Sequence, residues 1–176
     1  MEYYNNMSLS FDKAIDAQKM KKLIADTLNA NNYDAMYRGT PSTRLVEDLI
    51  VTDNSLSLDG SNGYYIPEDM LNVMDAILIS IAEANKELSF VCEMATDSTY
   101  SECEYDARYE RGVLSIDSTY HPNGYMEAFY CYECDALVIT AEECERGKTY
   151  ICPECGEELN FDEDLPVHEH KTIEIH

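Results

Sequence analysis

The chain has no tryptophan, only four histidines and five prolines in 176 residues, and it is poor in positive charge: 12 Lys and Arg stand against 35 Asp and Glu. Each shortage excludes something. A formal charge of −23 argues against direct binding of DNA or RNA, because phosphate contacts need Lys and Arg. No apolar run approaches the ~18 residues of a membrane helix. Met1–Asn6 has neither the basic nor the apolar stretch of a secretory signal. The phosphate loop, the dinucleotide glycine pattern, the Gly-x-Ser-x-Gly elbow and the His-Glu-x-x-His helix are all missing. With so few histidines, no nucleophile has an evident base. The expectation is a cytoplasmic protein that is not an enzyme.

Cysteine is what the chain has instead. Seven is an odd number for a disulfide framework, and four of the seven have metal spacing, which favours a reducing compartment. Cys131-Tyr-Glu-Cys134 and Cys152-Pro-Glu-Cys155-Gly156 are separated by 17 residues. A Cys-x-x-Cys turn aims two sulfurs at one point, and two such turns close a tetrahedron of thiolates. Gly156 suits the positive φ that a tight metal turn needs, and Asp135 occupies the matching position of the first turn. The reading is one structural Zn2+ on Cys131, Cys134, Cys152 and Cys155. Iron with a redox duty and a disulfide pair are the alternatives. Four thiolates leave no open position for substrate, so metal catalysis is not expected. This stretch resembles the zinc-ribbon and rubredoxin-like knuckle families, over about one seventh of the chain. The resemblance implies a metal-held module and no particular activity.

The remaining pattern predicts an α+β fold. N-terminal helices over about 11–31, 41–51 and 67–85 pack on an antiparallel β-meander over about 88–120, and a C-terminal four-cysteine zinc ribbon follows. Ser10 is the expected cap of the first helix, and Thr40-Pro41 opens the second. Met70 to Ile81 supply the broad apolar face of the third. Residues 1–10 are expected to be loosely held, with an edge strand at Tyr3, Tyr4 and Leu9 as the alternative. Ser55–Leu58 reads as a short strand. From Phe90 to Asp117 the period becomes two, with turns near Asp97-Ser98 and Arg111-Gly112. Centring the first of these turns on 97/98 sets Cys92 opposite Cys103. The domains are then 1–124, the α+β body, and 125–176, the ribbon with an acidic tail. His168 and His170 in that tail would share a strand face, suiting either a second metal or plain solvation.

The alternation sorts charge. Glu93, Glu102, Glu104, Asp106, Glu110 and Asp117 fall on the sheet face away from the helices. Like charges set across strands destabilise a sheet, so such a concentration points to a basic protein partner. The 14 tyrosines supply amphipathic contact area. In size, acidity and lack of catalytic motifs the chain resembles phage-encoded inhibitors of bacterial defence nucleases, especially the anti-CRISPR proteins that block Cas9-type effectors. Outside the ribbon the likeness is one of overall character. It implies binding to the effector and blocking of target-DNA loading or cleavage. The alternative is a zinc-ribbon adaptor or transcription-associated regulator that works by protein–protein contact.

Overall fold

Residues 4–36, 41–58, 69–97, 102–124 and 126–176 are described by a computed structural model. The period-two stretches become strands wherever an inward apolar series finds partners on both sides. Met7, Leu9 and Phe11 are buried in β1 (Tyr4–Phe11). Cys92 and Met94 are buried in β4 (Phe90–Asp97), Tyr105, Ala107 and Tyr109 in β5 (Glu102–Glu110), and Leu114 and Ile116 in β6 (Val113–His121). With β2 (Ile50–Val51), β3 (Ser55–Leu58) and β11 (Val167–Glu174) they form a seven-stranded antiparallel sheet, ordered β11-β6-β5-β4-β1-β3-β2. β7 (Ala128–Tyr130) with β8 (Leu137–Thr140), and β9 (Thr149–Ile151) with β10 (Glu158–Asn160), form two separate hairpins in the four-cysteine segment.

Helices occupy the connections. α1 (Ala17–Ala30) buries Met20, Ile24, Thr27 and Leu28 at helical spacing. The one-turn α2 (Tyr33–Met36) and α3 (Ser42–Asp48) follow, and α4 (Asp69–Ala84) buries Val73, Met74, Ile77, Leu78, Ile81 and Ala82. One hydrophobic cluster contains the apolar residues among these together with inward side chains of β1, β3, β4, β5 and β6. Phe11, Phe90 and Tyr109 run along it as tilted ring pairs, with centroids 5.8 and 5.3 Å apart. Asp75 of α4 accepts from Tyr105 Oη and Lys171 Nζ, both at 2.8 Å, and so ties the helix to β5 and β11.

Several expectations are corrected. The first helix starts at Ala17, not near residue 11, and its cap is Asp16, whose carboxylate accepts from the N–H groups of Gln18 and Lys19 at 3.1 Å. Phe11 belongs to β1, which is no loose edge: it lies between β3 and β4. Met7-Leu9-Phe11 is an alternating series, and pairing on both flanks outweighs the helical reading of Phe11 and Ile15. The second helix stops at Asp48, because Leu49 turns extended (φ −61°, ψ 121°) to enter β2. Asp34 stands at its start, accepting from Ser42 N at 2.6 Å and Ser42 Oγ at 2.7 Å, and these bonds hold its carboxyl below the usual range. The expected cap Thr40 and the start of the third helix at 67 lie outside the described residues.

The meander is present with a different register. Cys92 pairs with Ala107 and Cys103 with Thr96. Both thiols face inward. Four residues of offset along a strand, about 13 Å, is beyond the ~7 Å reach of a disulfide. The second turn is as expected: Arg111 (φ 54°) and Gly112 (φ 82°) form a two-residue hairpin loop with both φ values positive. The larger correction is at the C-terminus. The expected acidic tail is β11, paired with β6 from Val167↔Tyr120 to Glu174↔Val113. The metal module therefore lies between two neighbouring strands of the sheet rather than running to residue 176.

Candidate functional site

The module between β6 and β11 is two hairpins, β7–β8 (Ala128–Tyr130, Leu137–Thr140) and β9–β10 (Thr149–Ile151, Glu158–Asn160). Each bears one Cys-x-x-Cys at its turn. The two turns repeat bond for bond. Cys131 N donates to Ala136 O at 2.9 Å and Asp135 N to Cys131 O at 2.8 Å; Cys152 N donates to Glu157 O at 2.9 Å and Gly156 N to Cys152 O at 3.0 Å. Asp135 and Gly156 hold the same left-handed position, φ 55° and 76°. The module has its own small core of Phe129, Phe161 and Leu165, where the two rings stack at 4.9 Å and 19°. Arg146 pins the base, donating to the carbonyls of Asp162, Leu165 and Pro166.

At the tips the sulfurs of Cys131, Cys134, Cys152 and Cys155 lie within 4.8 Å of one another. Sγ–Sγ separations are 3.7 Å for 131–155, 3.4 Å for 134–152 and 3.8 Å for 134–155. A tetrahedron with metal–sulfur bonds of about 2.3 Å has edges of about 3.8 Å. The spacing is far above the ~2.05 Å of a disulfide, and all four thiols are free. These residues fit a metal ion. The surroundings prepare the charge. Backbone N–H groups of Cys155 and Glu154, with the Cys134 thiol, lower Cys152 to about 6. The bond with Cys152 in turn pushes Cys134 up to about 12. Within this pair Cys152 sheds its proton readily, while Cys134 keeps its own until a cation displaces it.

No known protein family, curated protein or solved structure matches the chain. The four-cysteine cluster is compatible with a zinc-binding knuckle and rests on geometry alone.

The six candidate acids are spread over the sheet face opposite the helix-packed core. Glu93 pairs with Asp106 and Asp106 with Asp117, so three carboxylates stand directly abreast on β4, β5 and β6. The next row carries Glu104, between Ala95 and Thr119. Glu102 is half-buried at the far end of β5, paired with His121. Glu110 is offset by Arg108 at 3.3 Å and Arg111 at 3.7 Å. Among the described residues no ion pair reaches Glu93, Glu104 or Asp106, and these three line a shallow hollow of about 730 Å³ over β1, β3, β4 and β5. Burial, with Asp106 and Glu93 nearby, pushes the Cys92 thiol up to about 12, which makes it inert.

The sequence reading missed that β11 extends this face. His170 pairs with Asp117 and His168 with Thr119, which continues the acidic rows with imidazoles. The signal was faint: of the inward positions of β11, only Val167 and Ile173 are apolar, while Glu169 and Lys171 break the pattern.

Proposed function

We propose that this protein is an acidic inhibitor that occupies the Lys/Arg surface of a nucleic-acid-processing protein and keeps the nucleic acid off it. The observation that carries the reading is the abreast row Glu93–Asp106–Asp117, on the face turned away from the helix-packed core and, among the described residues, with no lysine across from it. Three carboxylates at cross-strand spacing oppose folding. Their charge is set on stiff backbone, where it draws a cationic surface from a distance and meets it at fixed spacing. The lysines of α1 do not relieve this face. Lys22 pairs with Asp26 at 2.5 Å, Lys19 with Asp16 at 3.8 Å, and Lys21 bonds to the Glu47 carbonyl.

In character the chain is similar to anti-CRISPR proteins, and the partner we favour is a Cas9-type effector, with target-DNA loading or cleavage as the blocked step. The thiolate cage holds one structural Zn2+ and has no part in turnover. The site of action is the reducing cytoplasm. No helix among the described residues is long and apolar enough to cross a membrane.

Binding of purified Cas9-type effector to the full chain tests this, together with a Glu93→Lys/Asp106→Lys/Asp117→Lys variant. The expected results are affinity that falls steeply between about 50 and 500 mM salt and loss of binding in the variant. Binding that is indifferent both to salt and to the reversal would overturn it. A second reading has its own observation. Tyr130, Tyr132, Leu137 and Ile151 are exposed near the knuckles, Tyr132 to 83%, which suits a ribbon that docks onto a larger assembly. Loss of partner capture on Tyr132→Ser with the acidic row intact would favour that adaptor role.

A further inference from the structure

We propose that β11 is a docking edge for a second copy of this chain, which pairs with it antiparallel about a two-fold axis at His170. β11 ends the sheet order, and among the described residues only β6 pairs with it. The opposite edge is the two-residue β2, a short strand that offers little to pair with. β11 is eight residues long and has no proline, and all of it but Lys171 and Ile173 is exposed. Its backbone parity is fixed from the turn end. The two-residue loop at Arg111-Gly112 turns the N–H and C=O of Val113 toward Glu110 of β5, and Ile175 N donates to Gly112 O at 2.8 Å. Alternation from these points gives the odd-numbered residues of β11 to β6. His168, His170, Thr172 and Glu174 therefore aim their N–H and C=O groups outward, at an edge that no described strand occupies.

The side chains then select one register. Paired residues share a face of the sheet, so a two-fold pairing must centre on a residue rather than between two. Centred on His170, Glu169 stands opposite Lys171 of the second copy and Val167 opposite its Ile173, with His168 opposite Thr172 on the other face. Centring one residue away, on Glu169 or on Lys171, sets like charges against each other. The backbone of His170 points outward, so the axis falls within a hydrogen-bonded pair. Charge favours a second copy over a basic partner at this edge. In a chain of −23, β11 sets Lys171 and two imidazoles beside Glu169 and Glu174 and is close to neutral by itself. The pairing does not depend on what the acidic row binds, yet it extends that row. Glu93, Asp106, Asp117 and His170 stand abreast, and the axis repeats them in reverse order. The two Glu93 positions then lie about 34 Å apart along one joined sheet.

Sedimentation equilibrium of the full, zinc-loaded chain tests this, at about 300 mM salt to screen two −23 bodies from each other. The 20.1 kDa chain is expected to double in mass between about 1 and 500 µM, the range for so small an interface. Amide hydrogen exchange is expected to show His168, His170 and Thr172 protected only at the higher concentration. Glu169, Lys171 and Ile173, bonded to β6, are expected to be protected at both. Glu169→Lys sets lysine opposite lysine and is expected to weaken association about tenfold. His170→Pro removes the central pair of bonds, and the N–H it lacks faces away from β6, so a folded monomer is expected. A single-chain mass at the highest concentration, a dimer whose even-numbered amides exchange as in the monomer, or an undiminished dimer in both variants would each overturn the proposal. Protection of those amides only on adding a Cas9-type effector would do so too, by assigning the edge to a foreign strand. The exchange pattern is read on the unaltered chain, so the test does not depend on how the variants fold.

Discussion

At the scale of single residues, the two knuckles provide an internal control. Gly156 and Asp135 fill equivalent left-handed positions, and a Cβ added at Gly156 meets nothing within 4 Å. Gly156→Ala therefore costs backbone strain alone, about 1 kcal/mol, while Gly156→Asn costs less, because Asn tolerates this region as Asp135 does. Paired denaturant curves of the metal-loaded protein check the order Gly, Asn, Ala. Tyr109 gives the opposite kind of case. Its hydroxyl is fully buried and bonds to nothing among the described residues, while its ring packs on Phe90. Tyr109→Phe removes an unpaired polar atom and keeps the packing, so stability should hold or rise by up to about 1 kcal/mol. A fall of that size in urea unfolding would show that the hydroxyl has a partner.

At the scale of elements, the bond network at Asp75 joins α4 to both β5 and β11. Tyr105, which donates to it, is 1% exposed. Asp75→Ala leaves that hydroxyl buried and unpaired, at a cost of about 1–3 kcal/mol. Adding Tyr105→Phe to the same chain should recover part of the loss. The bond from Lys171 to Asp75 raises the lysine above its ordinary 10.5. Its contribution is therefore complete below that value and lost as pH climbs through the higher folded value. The difference in melting temperature between wild type and Lys171→Met should shrink above pH ~10.5. On the open face the sign reverses. Asp106 stands between Glu93 and Asp117, so Asp106→Asn relieves repulsion on both sides. Thermal melts should rise by about 1–2 °C while partner affinity falls. Loss of both would mean that Asp106 is needed for folding.

At the scale of the whole molecule, the four-cysteine module is closed by β11, which returns to the sheet beside β6. Metal removal should therefore melt the hairpins around Phe129 and Phe161 and leave the main core folded. A chelator scan is expected to give two transitions, with the earlier one abolished by Cys131→Ser. Acid should act like chelator on that first transition, because the sulfurs must lose protons to bind metal. One cooperative loss of all structure would refute the division. Several features were legible beforehand because they are local. The spacing of four cysteines brings their sulfurs together, the Arg111-Gly112 turn states its own geometry, and alternation within the strands between Phe90 and Asp117 sorts carboxylates from core. Three features were decided only in three dimensions. β1 is a central strand because β3 and β4 both pair with it, and the pairing of β4 with β5 sets Cys92 opposite Ala107. β11 is a strand because the exposed edge of β6 accepts it, although the half-polar inward face of β11 gives it little strand character alone. Periodicity reports which side of a segment is apolar; which backbone hydrogen bonds are available to that segment depends on chain far away in sequence.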